Sequence, residues 1–317
     1  MKKFLSVNDA PDLQAMLGRA MAFKKEPRME SELGKNKTLG MVFLNPSLRT
    51  RVSTQVAARN LGLDVVVFNV DRDGWQLEFA DKTVMDGEKV EHVKEAAGVL
   101  GQYFDILAVR TFPGFRDREE DYNEVVINQF VKHAGIPVLS LESATLHPLQ
   151  SFADIMTIKE TYTGKRPKVV LTWAPHVKAL PQAVPNSFAQ WITAWGNVDF
   201  VITHPEGYEL DNRFTQDVII EPDQDRAFQD ADYIYVKNWS SYSDYGRIMS
   251  MDLSWKITLK KLARTNQAKV MHCLPVRRNL VIDDDVLDSE HSIIVRQAAN
   301  RVWTAQAVLA ELLKAST

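Results

Sequence analysis

The chain has 317 residues, of which 45% are hydrophobic and 25% are charged, a balance typical of a globular protein with room for two domains. The formal net charge of -3 argues against a basic surface over the whole chain that would bind nucleic acid. Cys273 is the single cysteine, which excludes an internal disulfide and a multi-cysteine zinc site. The sequence has no apolar run long enough to span a membrane and no secretory signal, so we expect a cytoplasmic protein without membrane or nucleic-acid partners.

Short apolar runs alternate with longer helix-like segments along the chain. The predicted strands are Thr38–Leu44, Asp64–Asn69, Ile106–Arg110, Val138–Leu141, Val169–Trp173, Asp199–Thr203, Tyr233–Val236, Val270–His272 and Ile293–Arg296. The predicted helices are Asp9–Lys24, Arg51–Leu61, Glu91–Tyr103, Glu124–His133, Ser151–Thr161, Asn186–Trp195, Asp223–Phe228 and Trp303–Leu313. This alternation predicts an α/β fold with parallel sheets covered by helices on both faces.

A break in the strand pattern near residues 142–150 indicates two doubly wound sheets instead of one. We predict a first domain of residues 1–145 plus 297–317 and a second domain of residues 146–296. The helix at Ser151–Thr161 would cross from the first domain to the second, and the last helix would return. Ligands of such folds bind beyond the carboxyl ends of the strands, so polar residues at those ends are the candidates for a site.

The most informative segment follows the first long apolar run and reads Asn45-Pro46-Ser47-Leu48-Arg49-Thr50-Arg51. It lies at a predicted strand-to-helix junction, where free N–H groups and the positive end of the helix dipole favour an anion. Ser47 and Thr50 add hydroxyl donors, and Arg49 adds a planar fork suited to phosphate. The segment therefore predicts a phosphate site without a glycine-rich loop.

Other polar residues also follow predicted strands and could join this site. They are Arg110, Glu142, His147, Gln150, His176, Lys237, Cys273 and Arg301. Each residue alone has a plainer interpretation: a surface ion pair for an arginine, a helix cap for His147, a core thiol for Cys273. Trp75, in the polar segment 71–88, is either a contact with another chain or a local anchor. The run Asp283–Asp285 is interpreted as a solvated helix start.

The sequence lacks the glycine patterns of nucleoside triphosphate and dinucleotide sites, and it lacks the common metal-binding spacings. What remains is a phosphate-bearing substrate handled by arginines and hydrogen bonds, without a metal or an organic cofactor. Donors at a carbonyl oxygen and cations at a leaving phosphate would stabilise the transition state. The second domain would hold the attacking partner, and domain closure would align the two.

Four motifs in register resemble the aspartate/ornithine carbamoyltransferase family over nearly the whole chain. Ser47–Arg51 is similar to its carbamoyl-phosphate loop, and Arg110-Thr111-Phe112 to its second phosphate arginine. His147-Pro148-Leu149-Gln150 resembles its carbonyl-binding motif, and His272-Cys273-Leu274-Pro275 the signature of the ornithine branch. The ornithine loop that binds a free α-amino group is not found at Lys237–Tyr242. This departure indicates the N-acylornithine branch, because an acylated amine is neutral and needs no carboxylate partner.

The resemblance implies a homotrimer, a knot at the proline-rich segment Pro181–Pro185, and a role for each candidate residue. Carbamoyl phosphate would contact a first group: Ser47, Leu48, Arg49, Thr50, Trp75 of a neighbouring subunit, Arg110, His147, Gln150, Cys273, Leu274 and Arg301. The acylornithine would contact a second group: Glu142, His176, Lys237, Arg277 and Val90. The catalytic residues would be Arg49, Arg110, His147 and Cys273.

The acyl group is indicated by Val90. The resemblance implies a glutamate at this position, and a lysine at the position of Val281, in relatives that act on the acetylated substrate. A glutamate would repel the second carboxylate of a succinyl group, whereas valine does not. His176, Arg277 and Arg278 could supply positive charge for that carboxylate. We therefore expect N-succinylornithine as the carbamoyl acceptor in arginine biosynthesis, with N-acetylornithine as the alternative, and free ornithine or a non-catalytic anion-binding role as weaker ones.

Overall fold

The structure is a computed structural model that describes residues 1–314, apart from the side chain of Asp71. The chain divides into two compact units, one formed by Met1–Phe152 with the segment that begins at Arg301, the other by Ala153–Asn300. Each unit contains a parallel five-stranded sheet, so the prediction of an α/β fold with two parallel sheets is confirmed. None of the helices in residues 1–314 is long and apolar enough to cross a membrane.

The part of the first unit within residues 1–314 contains seven strands and six complete α-helices. Its strands are β1 Lys3–Phe4, β2 Thr38–Phe43, β3 Asp64–Asn69, β4 Leu77–Glu78, β5 Glu91–His92, β6 Ile106–Arg110 and β7 Val138–Glu142. Its helices are α1 Leu13–Lys25, α2 Arg49–Asn60, α3 Val70–Asp73, α4 Val93–Tyr103, α5 Arg118–Tyr122 and α6 Val125–His133. The sheet has the order β1-β7-β6-β2-β3, while β4 and β5 form a separate pair.

The remaining strands and helices lie mostly in the second unit. The strands are β8 Lys168–Trp173, β9 Asp199–Thr203, β10 Ile219–Ile220, β11 Tyr233–Lys237 and β12 Lys269–Met271, in the sheet order β10-β9-β8-β11-β12. The helices are α7 Pro148–Thr161, α8 Ala183–Trp195, α9 Asn212–Thr215, α10 Gln224–Phe228, α11 Leu259–Leu262, α12 Asp284–Leu287 and α13 Ile294–Lys314. The chain passes between the units within α7 and at Asn300–Arg301 in α13.

The apolar runs that predict strands form the cores of the two units. In the first unit, Val42 of β2 and Val109 of β6 pack in one buried cluster with Ala97 of α4 and Phe130 of α6. The approach of α4 to the end of α6 requires a glycine at position 101, because a Cβ there would lie 1.7 Å from the carbonyl oxygen of Ala134.

The register of the first sheet aligns the carboxyl ends of four neighbouring strands. Phe43 of β2 is opposite Asn69 of β3 on one side and Arg110 of β6 on the other. Arg110 is in turn opposite Glu142 of β7, after a register shift between Val109 and Arg110. Parallel strands bring the residues that follow them to one edge of the sheet. The candidate residues of this unit therefore belong to one edge.

The predicted strand Ile293–Arg296 is wrong, because helix α13 begins at Ile294. Ser292 makes an isolated parallel bridge with Val270, and the Ile293 N–H donates to the Val270 carbonyl over 3.0 Å, but the pairing stops there. Val295 is 76% exposed, as expected for one side of a helix. A short apolar run does not distinguish a strand from the first turn of a helix.

The other predicted elements are present, some with unchanged bounds and others with shifted ends. Helix α7 begins at Pro148 instead of Ser151, because proline is well suited to the first helical position. Helix α13 begins nine residues before the predicted Trp303. The acidic run at residues 283–285 begins α12, as predicted, with Asp283 at its N-cap. Strands β1, β4, β5 and β10 have two residues each, too few to give a period-two pattern.

Candidate active site

The phosphate loop lies where the sequence predicts it, between the end of β2 and the start of α2. The amino terminus of α2 has no side-chain cap from Leu48, which is 74% exposed. The Asn45 side chain accepts a hydrogen bond from the Phe112 N–H over 2.7 Å, which ties this loop to the segment after β6. A helix start without a side-chain cap, supported by a neighbouring strand end, is suited to bind an anion.

Thr50 connects two arginines from distant parts of the sequence. Its hydroxyl oxygen accepts from Arg301 Nη2 over 2.5 Å and from Arg110 Nη1 over 3.4 Å. Thr50 is 1% exposed, and both arginines are also buried. Two guanidinium groups therefore converge at the first turn of α2, where the helix dipole also favours negative charge. Arg49 is half-buried in the same turn.

Glu142 lies beside these arginines at the end of β7. Its Oε2 atom accepts a hydrogen bond from Arg110 Nη1 over 2.5 Å and lies 3.4 Å from His147 Nε2. The Arg110 guanidinium also stacks over Phe112, with its Cζ atom 4.7 Å from the ring centroid. Gln150 is buried one turn into α7, and its N–H donates to the carbonyl of His147. The structure thus brings Thr50, Arg110, Glu142, His147 and Arg301 together within the first unit.

Trp75 and Val90 lie next to the β4–β5 pair in the sequence and in the fold. The Trp75 side chain is 54% exposed, and its indole N–H donates to Glu91 Oε2 over 2.8 Å. Val90 is 64% exposed and immediately precedes β5. The indole is therefore anchored to its own chain at one point and leaves most of the ring accessible.

In the second unit, three candidate residues occupy the carboxyl ends of three adjacent strands. His176 follows β8, Lys237 ends β11 and Cys273 follows β12. Lys237 is paired with Trp173 in the register, and its carbonyl accepts from the Ala174 N–H over 3.1 Å. The sheet order β8-β11-β12 therefore places these residues along one edge.

His176 is held between two cationic residues. Its Nε2 atom accepts a hydrogen bond from Arg277 Nε over 3.2 Å, and its Nδ1 atom lies 3.1 Å from the Lys178 carbonyl oxygen. Burial lowers the pKa of His176, and the nearby charges of Lys237, Arg277 and Lys178 lower this pKa further. A pKa below the ordinary 6.5 leaves the imidazole mostly neutral near pH 7.

The positive charge around His176 is not compensated within this unit. Lys237 is 7% exposed, and among the described side chains neither Lys237 nor Arg277 forms an ion pair with a carboxylate. A buried ammonium group without a counter-ion is costly unless a ligand supplies the charge. Arg278 differs, because its guanidinium is bound by Asp284 over 2.8 Å and by Asp288 over 2.7 Å. Arg277 and Lys237 are thus the cations available to an anionic ligand.

Cys273 lies in a tightly held turn after β12. The His272 N–H donates to Gln297 Oε1 over 2.8 Å, and the Leu274 N–H donates to His272 Nδ1 over 2.8 Å. Leu274 has a φ of 59°, an unusual left-handed conformation for a bulky residue. Such outliers cluster at functional sites. The turn leaves Cys273 half-buried at the edge of the sheet.

Sequence reasoning missed Glu124, which lies beneath the segment between Glu142 and His147. Its carboxylate accepts hydrogen bonds from Ser143, Ala144 and Thr145. Glu124 precedes α6, where a glutamate normally indicates only a solvated helix start. The hydroxyl residues at positions 143 and 145 were the single available signal of a local hydrogen-bond acceptor.

Two family profiles match the chain. Residues 2–160 match "Aspartate/ornithine carbamoyltransferase, carbamoyl-P binding domain", and residues 182–312 match "Aspartate/ornithine carbamoyltransferase, Asp/Orn binding domain". The chain is 53% identical, over 316 residues and 99% of each sequence, to the N-succinylornithine carbamoyltransferase of Bacteroides fragilis strain 638R. It is 36% identical to the N-acetylornithine carbamoyltransferase of Xanthomonas axonopodis pv. citri, over 98% of this chain and 96% of that protein.

Solved structures give the same result. One is an N-acetyl-L-ornithine transcarbamylase in which a glutamate is replaced by valine, complexed with carbamyl phosphate and N-succinyl-L-norvaline. It has a TM-score of 0.93 and 34% identity, and the match covers 98% of this chain and 100% of that chain. An acetylornithine transcarbamylase complexed with acetylcitrulline also has a TM-score of 0.93. On these matches, which extend over both units, the chain belongs to the aspartate/ornithine carbamoyltransferase family.

Proposed function

We propose that this protein transfers the carbamoyl group of carbamoyl phosphate to the δ-amine of N2-succinyl-L-ornithine, giving N-succinylcitrulline and phosphate in arginine biosynthesis. The observation that carries the choice of acceptor is the uncompensated charge of Lys237 and Arg277 beside His176. N-succinylornithine has two carboxylates, whereas N-acetylornithine has one. Two unpaired cations at one sheet edge suit the acceptor with two negative groups.

Carbamoyl phosphate binds the first unit in this proposal. The phosphate dianion lies at the start of α2 and is held by Ser47, Leu48, Arg49 and Thr50. Arg110 and Arg301 both donate to the Thr50 hydroxyl oxygen. Their guanidinium groups stabilise the negative charge that develops on the phosphate as it leaves. The anion competes with Glu142 for the Arg110 guanidinium, so binding exchanges one charge-assisted contact for another.

The remaining residues act at the carbamoyl group. His147 and Gln150 donate hydrogen bonds to the carbonyl oxygen, and Cys273 and Leu274 contact the same group. The δ-nitrogen forms a bond to the carbonyl carbon, and the bond from that carbon to the phosphate oxygen breaks. The proton lost by the attacking amine passes to the departing phosphate, so no protein base is needed. The amine must be neutral to attack, and its ordinary pKa is about 10.4, so turnover rises with pH.

Val90 supports the succinyl assignment. Relatives that act on the acetylated amino acid carry a glutamate in the corresponding segment, according to the resemblance described above. In one such relative, replacement of a glutamate by valine gives a protein solved with N-succinyl-L-norvaline bound. Valine at position 90 removes a negative charge that would repel a succinyl carboxylate.

We further propose a homotrimer in which Trp75 contributes to the site of the neighbouring subunit, and a knot in the second unit. The 54% exposure of Trp75 supports the first idea, because a large ring with one polar anchor can pack against another chain. For the knot, the support is the tie between the segments at 180–182 and 240. The N–H and the hydroxyl of Ser240 both donate to the Leu180 carbonyl, and Gln182 Nε2 donates to the Ser240 carbonyl.

A colorimetric assay of the ureido product tests the reaction, with succinyl-, acetyl- and unmodified ornithine compared side by side. We expect kcat/KM to be highest for N-succinylornithine, at least tenfold above N-acetylornithine, and negligible for ornithine. Equal rates with succinylated and free ornithine would contradict the acylated acceptor, and a preference for the acetyl compound would contradict the succinyl group. No product from any acceptor would favour a non-catalytic anion-binding protein.

A further inference from the structure

The segment between Glu142 and His147 is held by a buried carboxylate from another element. Glu124 Oε1 accepts from the Ser143 hydroxyl over 2.6 Å, from the Thr145 N–H over 2.9 Å and from the Thr145 hydroxyl over 2.5 Å. Its Oε2 atom accepts from the Ala144 N–H over 3.2 Å. One side chain thus supplies acceptors to three consecutive residues of the segment.

This arrangement costs free energy on folding. Glu124 has φ 53° and ψ 40°, in the left-handed region that glutamate seldom adopts. Burial raises the pKa of Glu124 against the opposing effect of its hydrogen bonds, and among the described side chains it has no cationic partner. Apolar residues could fill the same space without burying a charge. The contacts therefore indicate that the position of residues 143–145 matters, in addition to the stability of the unit.

Glu124 fixes the turn that leads directly to His147, a proposed catalytic residue. The Ser143 N–H donates to the Leu146 carbonyl over 2.8 Å, so the four residues 143–146 form a closed turn. Glu142 and His147 flank this turn, and their side chains approach to 3.4 Å. A shift of the turn moves His147 relative to Glu142, because residues 143–146 are the whole of the chain that links the two.

We propose that Glu124 is a positioning residue that acts through His147. It holds the turn so that the imidazole is placed to donate to the carbonyl oxygen in the transition state. This inference depends on the proposed carbamoyl transfer for its kinetic consequence, but not for its structural one. A misplacement of about 1 Å at such a donor lowers turnover by as much as about 100-fold.

Glu124→Gln is the main test variant, because it keeps the size of the side chain but replaces the Oε2 acceptor, or the Oε1 acceptor, by a donor. We expect kcat to fall about tenfold to 100-fold, with a smaller rise of KM for carbamoyl phosphate, because the contact of His147 strengthens in the transition state. In a His147→Ala background the same change is expected to have no further effect on kcat, since residues that act as a unit are non-additive. An equal loss in both backgrounds, or unchanged kcat, would overturn the inference.

Asp105→Asn is the matched control. Asp105 Oδ2 accepts from the Thr38 N–H at the start of β2 over 2.8 Å, a similar hydrogen bond between a carboxylate and a backbone N–H in the same unit. We expect it to lower Tm without lowering kcat of the folded protein. Should Glu124→Gln fail to fold, Thr145→Val removes one donor of the turn and Thr145→Ser restores it, so kcat is expected to fall in the first and recover in the second. Equal kcat in the two Thr145 variants would contradict the inference.

A readout that does not require activity separates this inference from the proposed function. The NMR signals of the His147 imidazole, assigned by their loss in His147→Ala, are expected to move in Glu124→Gln and to stay in place in Asp105→Asn. If the wild-type protein forms no ureido product, the proposed function is wrong. The His147 signals would still test the role of Glu124 in that case. If the wild-type protein is active but Glu124→Gln leaves the His147 signals and kcat unchanged, this inference is wrong and the proposed function stands.

Discussion

Arg277 donates a hydrogen bond from Nε to His176 Nε2 over 3.2 Å, so the arginine is oriented by a histidine that accepts only when it is neutral. The pKa of His176 is lowered from the ordinary value of 6.5, first by burial and then by the charges of Lys237, Arg277 and Lys178. The pair therefore stays intact at neutral pH and is disrupted only in acid.

The first prediction concerns this pKa. An NMR titration is expected to give a midpoint for His176 below 6.5 in the free protein, and a higher midpoint in Lys237→Gln and in Arg277→Gln, because each change removes a like charge. Arg278→Gln is the control, since Asp284 and Asp288 already neutralise Arg278. N-succinylornithine is expected to raise the midpoint by linkage, because its carboxylates favour the imidazolium. A midpoint insensitive to Lys237 and Arg277 would contradict this account.

The lowered pKa also fixes the sign of a stability effect. Between pH 6.5 and the folded-state pKa, the unfolded chain binds more protons at His176 than the folded chain does. The stabilisation from neutral His176 is therefore complete above pH 6.5 and declines as the pH falls toward the folded-state pKa. His176 is only partly buried, so we expect a small effect on Tm.

The second prediction separates two adjacent arginines. Arg277→Gln removes an uncompensated cation and is expected to raise KM for N-succinylornithine by about 10- to 100-fold, the value of one lost charge-assisted hydrogen bond. The increase for N-acetylornithine is expected to be smaller, since that acceptor has one carboxylate fewer. Arg278→Gln is expected to leave both KM values within about twofold, because its guanidinium is bound by Asp284 and Asp288. Equal effects of the two variants would argue against the role given to Arg277.

The third prediction concerns the contact between Thr50 and two arginines. Thr50→Val removes the oxygen that accepts from Arg110 and Arg301, and we expect KM for carbamoyl phosphate to rise about tenfold. Thr50→Ser keeps the oxygen and is expected to behave like the wild type. Thr54, one turn further along α2, is fully buried and its hydroxyl has no hydrogen-bond partner in the described part of the chain. Thr54→Val is therefore the matched control, and equal KM values in the two valine variants would show that the arginines do not depend on Thr50.

The contact between Thr50 and Arg301 also shows where prediction from sequence ends. The strand-to-helix junction at Ser47–Thr50 follows from an apolar run, a proline and a polar cluster, all of which are local features. Which arginine reaches that junction is a long-range property: Thr50 and Arg301 are 251 residues apart. Arg301 was selected as a residue that follows the predicted strand Ile293–Arg296, and then by resemblance, but it lies within helix α13. Periodicity could not have placed it beside Thr50.

Lys237 and Glu124 also differ in whether a local sequence pattern predicts their position. The edge position of Lys237 follows from a fully buried apolar strand that ends in a charged residue, and this pattern is visible in the sequence. Glu124 gave no comparable signal, because its proposed role depends on a left-handed backbone and on four donors from three residues about twenty positions away. At Ile293–Arg296 the sequence pattern was misleading, since one strand-like bridge at Ser292 is followed at once by a helix.

The fourth prediction concerns the acyl group. Val90→Glu is expected to raise KM for N-succinylornithine about tenfold and to leave KM for N-acetylornithine nearly unchanged, because two carboxylates about 4 Å apart repel by about 1 to 4 kcal/mol. Val84→Glu adds the same charge to another exposed valine, 79% accessible, in the same unit. It is expected to change neither KM. A uniform change for both acceptors in Val90→Glu would indicate a general disturbance instead of a carboxylate effect.

The last prediction distinguishes the structural role of Arg110 from its catalytic role. Arg110→Met leaves Glu142 buried without its guanidinium partner, and loss of one member of a buried pair costs about 3 to 5 kcal/mol of stability. The same variant removes a contact to the leaving phosphate, so kcat/KM is expected to fall by about 100- to 1000-fold. Calorimetry and initial rates measure the two effects separately.

Combining Arg110→Met with Glu142→Gln removes the unpaired charge together with its partner. We expect this double variant to recover most of the lost Tm, because a neutral amide is less costly to bury than an isolated carboxylate. Its kcat/KM is expected to stay low, because no guanidinium meets the charge on the phosphate. Recovery of activity together with Tm would mean that Arg110 contributes only through the fold, and the phosphate-binding role would then pass to Arg49 and Arg301.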